Sequence, residues 1–84
     1  MKMDRNHELF LHLDRLHTTE LGVLRIKKNL SLDTDHVVDW CKEKLKQPSA
    51  SATRKGKNWY AHFDGCILTI NADSYTIITA HKEK

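Results

Sequence analysis

Between Lys57 and Lys82, apolar and polar positions alternate in three short runs, 57–63, 66–71 and 75–81, rich in aromatic and β-branched residues. Asp64-Gly65 separates the first two runs and Asn71-Ala-Asp-Ser74 the last two, so the pattern predicts three strands of an antiparallel meander. Asp64-Gly65 suits a type I′ turn, in which both central residues take positive φ. That turn sets Phe63 opposite Cys66, Ala61 opposite Leu68 and Trp59 opposite Ile70, all apolar and all on one face. If Ile70 then faces Tyr75, Leu68 faces Ile77 and Cys66 faces Thr79. Tyr75 and Ile77 join the buried face, and Thr79 and His81 fall on that same side. Thr76, Ile78 and Ala80 turn outward beside Tyr60, His62 and Thr69. A weaker fourth strand is expected over 49–54, returned by a Lys55-Gly56 turn.

Ahead of the strands the apolar period becomes helical. Residues 4–16 place Leu9, Leu13 and Leu16 at helical spacing with Phe10 beside them, and Asp4 and Glu8 suit the start of that helix. Thr18 or Thr19 can cap a second helix over 20–30. It buries either Leu21 with Leu24, or Val23 with Ile26 and Leu30, and it exposes Lys27 and Lys28; Gly22 points to close helix packing. A third helix over 34–46 carries Val37, Val38, Cys41 and Leu45 on its apolar stripe. Asp33 and Asp35 lie at its positive end, Lys42, Lys44 and Lys46 at the other, and Pro48 stops it. The expected fold is α+β: three N-terminal helices packed on one face of a three- to four-stranded antiparallel meander, in a single domain spanning 1–84.

Composition narrows this little. At 39% hydrophobic and 30% charged residues the chain reads as globular and not disordered. No apolar run approaches the ~18 residues of a membrane span, and the N-terminus lacks a signal-peptide core, so the expected setting is cytoplasmic, with no membrane partner. Cys41 and Cys66 stand far apart on apolar faces, as buried free thiols do. Charge is uneven: residues 1–41 hold six Lys/Arg against seven Asp/Glu, residues 42–84 eight against four. The basic half surrounds the strands, which permits RNA or another anionic ligand as a partner.

His7, His12 and His17 recur at intervals of five, which carries them around a helix instead of stacking them, so no metal site and no cofactor is expected. Walker, Gly-x-Gly-x-x-Gly and Gly-x-Ser-x-Gly motifs are absent from the sequence. What remains is the outer face of the sheet. Tyr60, His62, Thr69, Thr76 and Ile78 would form a half-polar platform, with Arg54, Lys55 and Lys57 at its edge and His81-Lys82 at the end of the last strand. Rings flanked by cations can stack on bases and hold phosphates. A histidine can also exchange protons near neutral pH.

His17-Thr-Thr-Glu-Leu-Gly22, Arg25-Ile26, Asn29-Leu30, Gly56-Lys-Asn-Trp-Tyr60, Asp64-Gly-Cys66 and above all Ser74-Tyr-Thr-Ile-Ile-Thr-Ala-His-Lys82 resemble a family of short bacterial proteins known as domain of unknown function 3781. The resemblance covers most of the chain and implies no activity. It marks His17, Thr18, Arg25, Lys57, Tyr60, Thr76, Thr79, His81 and Lys82. More remotely, helices followed by a small sheet with a late Thr/His strand are similar to the barnase, colicin and RelE-type ribonuclease toxins, although the expected strands carry no glutamate base. Glu20 to Leu45 also resembles a helix-turn-helix, but Asp33, Asp35 and Asp39 would face phosphates. Three functions follow as expectations. The first is a binding module for RNA or an anionic ligand through the sheet face and basic edge, with His17, Thr18, Arg54, Lys55, Thr76 and Lys82 as contacts. The second is a metal-independent ribonuclease drawing on His81, His62, Tyr60, Lys57 and Arg25. The third is a homodimer or protein-interaction module using Ile67, Ile78 and Tyr60.

Overall fold

The structure, a computed structural model, describes residues 9–83. Residues 9–11 are helical, and a 3-10 turn follows at Leu13–Arg15. Two α-helices come next, α1 (Glu20–Asn29) and α2 (Val37–Leu45). The chain ends in a four-stranded antiparallel sheet, β1 (Ser51–Lys55), β2 (Asn58–Phe63), β3 (Cys66–Asn71) and β4 (Ile77–Lys82), ordered as in the sequence. No helix among the described residues is long and apolar enough to cross a membrane.

The sequence expectation of one helix over 4–16 is corrected within its described part. His12 leaves helical geometry at φ −120° and Leu16 is extended at ψ 136°. The reason is tertiary: His17 must lie straight to form a parallel bridge with Thr76, donating its N–H to the Tyr75 carbonyl at 3.2 Å and accepting from the Ile77 N–H at 2.8 Å. Leu9, Leu13 and Leu16 stay buried all the same. α1 begins where Thr19, extended at ψ 172°, accepts the Gly22 N–H on its hydroxyl at 3.0 Å. Of the two apolar stripes open to this helix, Ile26 and Leu30 are the buried one, while Leu21 and Leu24 face solvent. α2 starts three residues later than expected. Thr34 spends its hydroxyl on the His36 N–H at 3.0 Å, a local turn that competes with helix, and Asp35 pairs with Lys27 at 2.6 Å. That lysine, only half-buried, holds the Asp35 carboxyl below its ordinary range through a hydrogen bond and its charge.

The weak strand is present, as β1, with Gly56-Lys57 as its turn and Gly56 at φ 62°. The β2–β3 register is the expected one, Phe63 with Cys66 through Trp59 with Ile70, and Asp64 and Gly65 both take positive φ. The β3–β4 register is not. Ile70 pairs with Ile77, Thr69 with Thr79 and Leu68 with Ala80, so Ile78 is an extra residue in a bulge. The bulge reverses the expected sides: Ala80 is fully buried, and Thr79 and His81 pair with Thr69 and Ile67. The turn before β4 is also longer than expected. The Asn71 side chain accepts the Asp73 and Ser74 N–H groups at 2.9 and 3.0 Å, and Tyr75 sits at φ 59°.

One buried cluster joins Ile26, Leu30, Val37, Cys41 and Leu45 of the helical half to Trp59, Ala61, Phe63, Leu68, Ile70, Ile77 and Ala80 of the sheet. α1 lies along β4 and against α2, and α2 touches β2. The outward side of β4 is finished by side chains. The Thr18 hydroxyl donates to the Ile77 carbonyl at 2.8 Å, and the Asn29 amide donates to the Ala80 carbonyl at 2.9 Å. Gly22 is required here, since a Cβ would meet Thr18 Oγ1 at 2.0 Å.

Candidate functional site

Alternation and register together define the face of the sheet opposite Trp59 and Leu68. Two rows cross it: Thr53, Tyr60, Thr69 and Thr79, then Ser51, His62, Ile67 and His81. An open concavity of about 540 Å³ lies on it, lined by Thr53, Lys55, Tyr60, His62 and Ile67. Tyr60, His62 and Ile67 are half-buried, and Thr69 beneath them is 9% exposed. Here a ring can stack on Tyr60, hydroxyls and an imidazole can hydrogen-bond, and Lys55 can meet an anion.

The bulge brings Thr79 and His81 to this face, which the sequence register had placed on the other side. It also brings Glu83, a residue that reasoning from the strands missed. Its Oε2 lies 3.6 Å from His62 Nδ1, too far for a hydrogen bond. The expected register, carried on to Glu83, sets it on the buried side with Thr79 and His81, so only the bulge reveals it.

A second polar group lies at the bridge between His17 and Thr76. His17 Nδ1 is 2.9 Å from the Arg15 carbonyl, which can only accept, so Nδ1 carries the proton. Nε2 of the neutral ring then accepts from the Thr76 hydroxyl at 3.0 Å, and Thr76 Oγ1 accepts from Ser74 at 2.7 Å. A hydroxyl, a base and a carbonyl that orients the base can move a proton. The His17–Thr76 bond ties the N-terminal segment to the turn before β4, and the other two are local to each side. Thr18 belongs with them: its hydroxyl is spent on the Ile77 carbonyl.

The other expected contacts scatter. Arg54 pairs in register with Trp59 and lies over its ring, with the guanidinium carbon 5.7 Å from the centroid, so it lies on the Trp59 side and not beside Tyr60. Its Nε donates to the Gly56 carbonyl at 3.0 Å. Lys57 is an exposed turn residue whose carbonyl accepts from the Ala72 N–H at 2.8 Å. Lys82 pairs with Cys66 at the exposed end of β4. Arg25 is exposed on α1 and makes no ion pair among the described residues. The basic edge is therefore thinner than composition suggested, with Lys44 also engaged, by Asp64 at 3.0 Å.

Burial, reinforced by the neighbouring Cys66, pushes the Cys41 thiol up to about 12, and burial followed by Asp64 raises Cys66. Neither is a thiolate near neutral pH. No group of three or more His, Cys, Asp or Glu among the described residues can hold a metal ion; His7 lies outside them.

Residues 10–81 match the model of a family described as "Protein of unknown function (DUF3781)". Comparison with curated proteins and with solved structures finds no significant match.

Proposed function

Because the chain belongs to this DUF3781 family, whose description assigns no activity, we propose from its side chains that the outer sheet face binds nucleotide units of single-stranded RNA. In this reading the helices cover the Trp59 face and leave the Tyr60 face free for ligand. The observation that carries it is the concavity of about 540 Å³, which joins an aromatic ring, an imidazole, hydroxyls and the Lys55 cation. That volume falls within the roughly 300–1,000 Å³ of small-ligand sites. Base stacking on Tyr60 supplies affinity without a sequence code, and Lys55 with Lys57 nearby supplies the phosphate contacts. With so few cations on this side, binding should depend only shallowly on salt.

Fluorescence anisotropy with a short labelled oligoribonucleotide at about 50 and 200 mM salt tests this. Tyr60→Ala should weaken binding roughly tenfold or more, the scale of one lost stacked base, with thermal unfolding unchanged. A folded protein with no affinity at the lower salt would sink the reading.

The arrangement of His62, His81 and Glu83 on the same face favours one second reading, a metal-independent ribonuclease. One imidazole would take the proton of a 2′-hydroxyl as that oxygen attacks phosphorus. The other would protonate the departing 5′-oxygen, leaving a cyclic phosphate. The same oligoribonucleotide on a gel decides it: cleavage that disappears in a folded His81→Ala variant, while binding persists, makes the face catalytic.

A further inference from the structure

The exposed side of α1 has a composition that the RNA-binding reading does not use. At 3.6 residues per turn, Leu21, Leu24, Arg25 and Lys28 fall within about 100° of one another around the helix. Leu21 is 67% and Leu24 62% exposed, and Arg25 and Lys28 are exposed without an ion pair among the described residues. Ile78, 42% exposed, lies on β4 between the two residues that Thr18 and Asn29 fasten to the helix. Two neighbouring leucines on solvent are ordinary singly and informative as a stripe flanked by cations.

Three observations restrict what can cover this stripe. The outward hydrogen-bonding positions of β4 at Ile77 and Ala80 are already occupied, so a partner cannot add there as a strand. It must pack through side chains, as a helix does. A second copy of α1 fits poorly, because Arg25 and Lys28 would meet their own kind and Glu20 is the helix's only acid. Acidic residues beside apolar ones complement the stripe directly. We propose that the Leu21/Leu24 stripe of α1 docks an acidic amphipathic helix of a partner protein, its apolar positions against the leucines and its carboxylates against Arg25 and Lys28.

The probe is a designed helical peptide with leucines at i, i+3, i+4 and i+7 flanked by glutamates, compared with the same peptide carrying lysines instead. Titration is followed by amide chemical shifts of the labelled protein and by anisotropy. The acidic peptide should bind saturably, shift the amides around Leu21–Lys28, and bind at least tenfold more tightly than the basic one. Leu21→Ser/Leu24→Ser should lose that binding with an unchanged unfolding temperature, since both replaced side chains are exposed. Arg25→Glu/Lys28→Glu should transfer the preference to the basic peptide. No saturable binding, equal binding of both peptides, or shifts centred on Tyr60 and His62 would overturn the proposal. So would a concentration-dependent dimer abolished by Leu21→Ser/Leu24→Ser, which would give the stripe to a second copy.

Discussion

β1 and β4 bound the same sheet and are finished in opposite ways. On β4, a segment some sixty positions earlier in the chain supplies the closure: the His17 carbonyl, the Thr18 hydroxyl and the Asn29 amide meet Ile77 and Ala80. On β1, no other segment bonds to the outward side among the described residues. That edge is five residues long, exposed at four of them, and carries Arg54 and Lys55. Short length and charge are the usual protection of an edge left unpaired. The contrast teaches how to read polar residues near a sheet. His17 and Thr18 look like site residues in the sequence and act as closures in the fold, whereas Lys55, beside the open edge, keeps its charge available.

Breaking the β4 closure should cost most at Gly22. In Gly22→Ala the new methyl collides with Thr18, which must swing away and abandon the Ile77 carbonyl. Overpacking and the orphaned carbonyl together outweigh the helix propensity gained, for a net loss of about 3 kcal/mol in urea unfolding. Adding Thr18→Ala to that variant should recover part of the loss, because the two changes share one contact. Thr18→Val alone keeps the shape and removes only the donor, so a loss of roughly 1–2 kcal/mol is expected, with faster amide exchange near Ile77. The open edge should barely respond. Arg54→Ala removes an exposed hydrogen bond and a ring contact, worth under about 1 kcal/mol, and a larger loss would mean that β1 is protected by more than its charge.

The sequence showed most of this fold where signals were local. Asp64-Gly65 carried the β2–β3 register, Thr18-Thr19 the start of α1, and the Lys55-Gly56 turn signal a fourth strand that the small, polar residues around Ala52 only weakly support. What it hid were outcomes decided at a distance. Residues 12–16 have the apolar spacing of a helix, yet pairing with Thr76 pulls His17 straight. Leu21/Leu24 and Ile26/Leu30 are equally good stripes until β4 chooses between them. The candidate site was legible as a set and not as an arrangement. Alternation sets Tyr60 and His62 on the outer face, where the β2–β3 register has them, while Arg54 turned to Trp59 and Glu83 arrived unannounced.

One extra residue in β4 governs where Thr79, His81 and Glu83 fall. Side chains along a strand behave like a two-beat signal, and Ile78 inserts a half-period into it. Before it, odd numbers face inward; after it, even ones do. The hydroxyl of Thr79 and the imidazole of His81 meet solvent through a phase slip of one position, so the chemistry of the chain's final strand is set by counting as much as by composition.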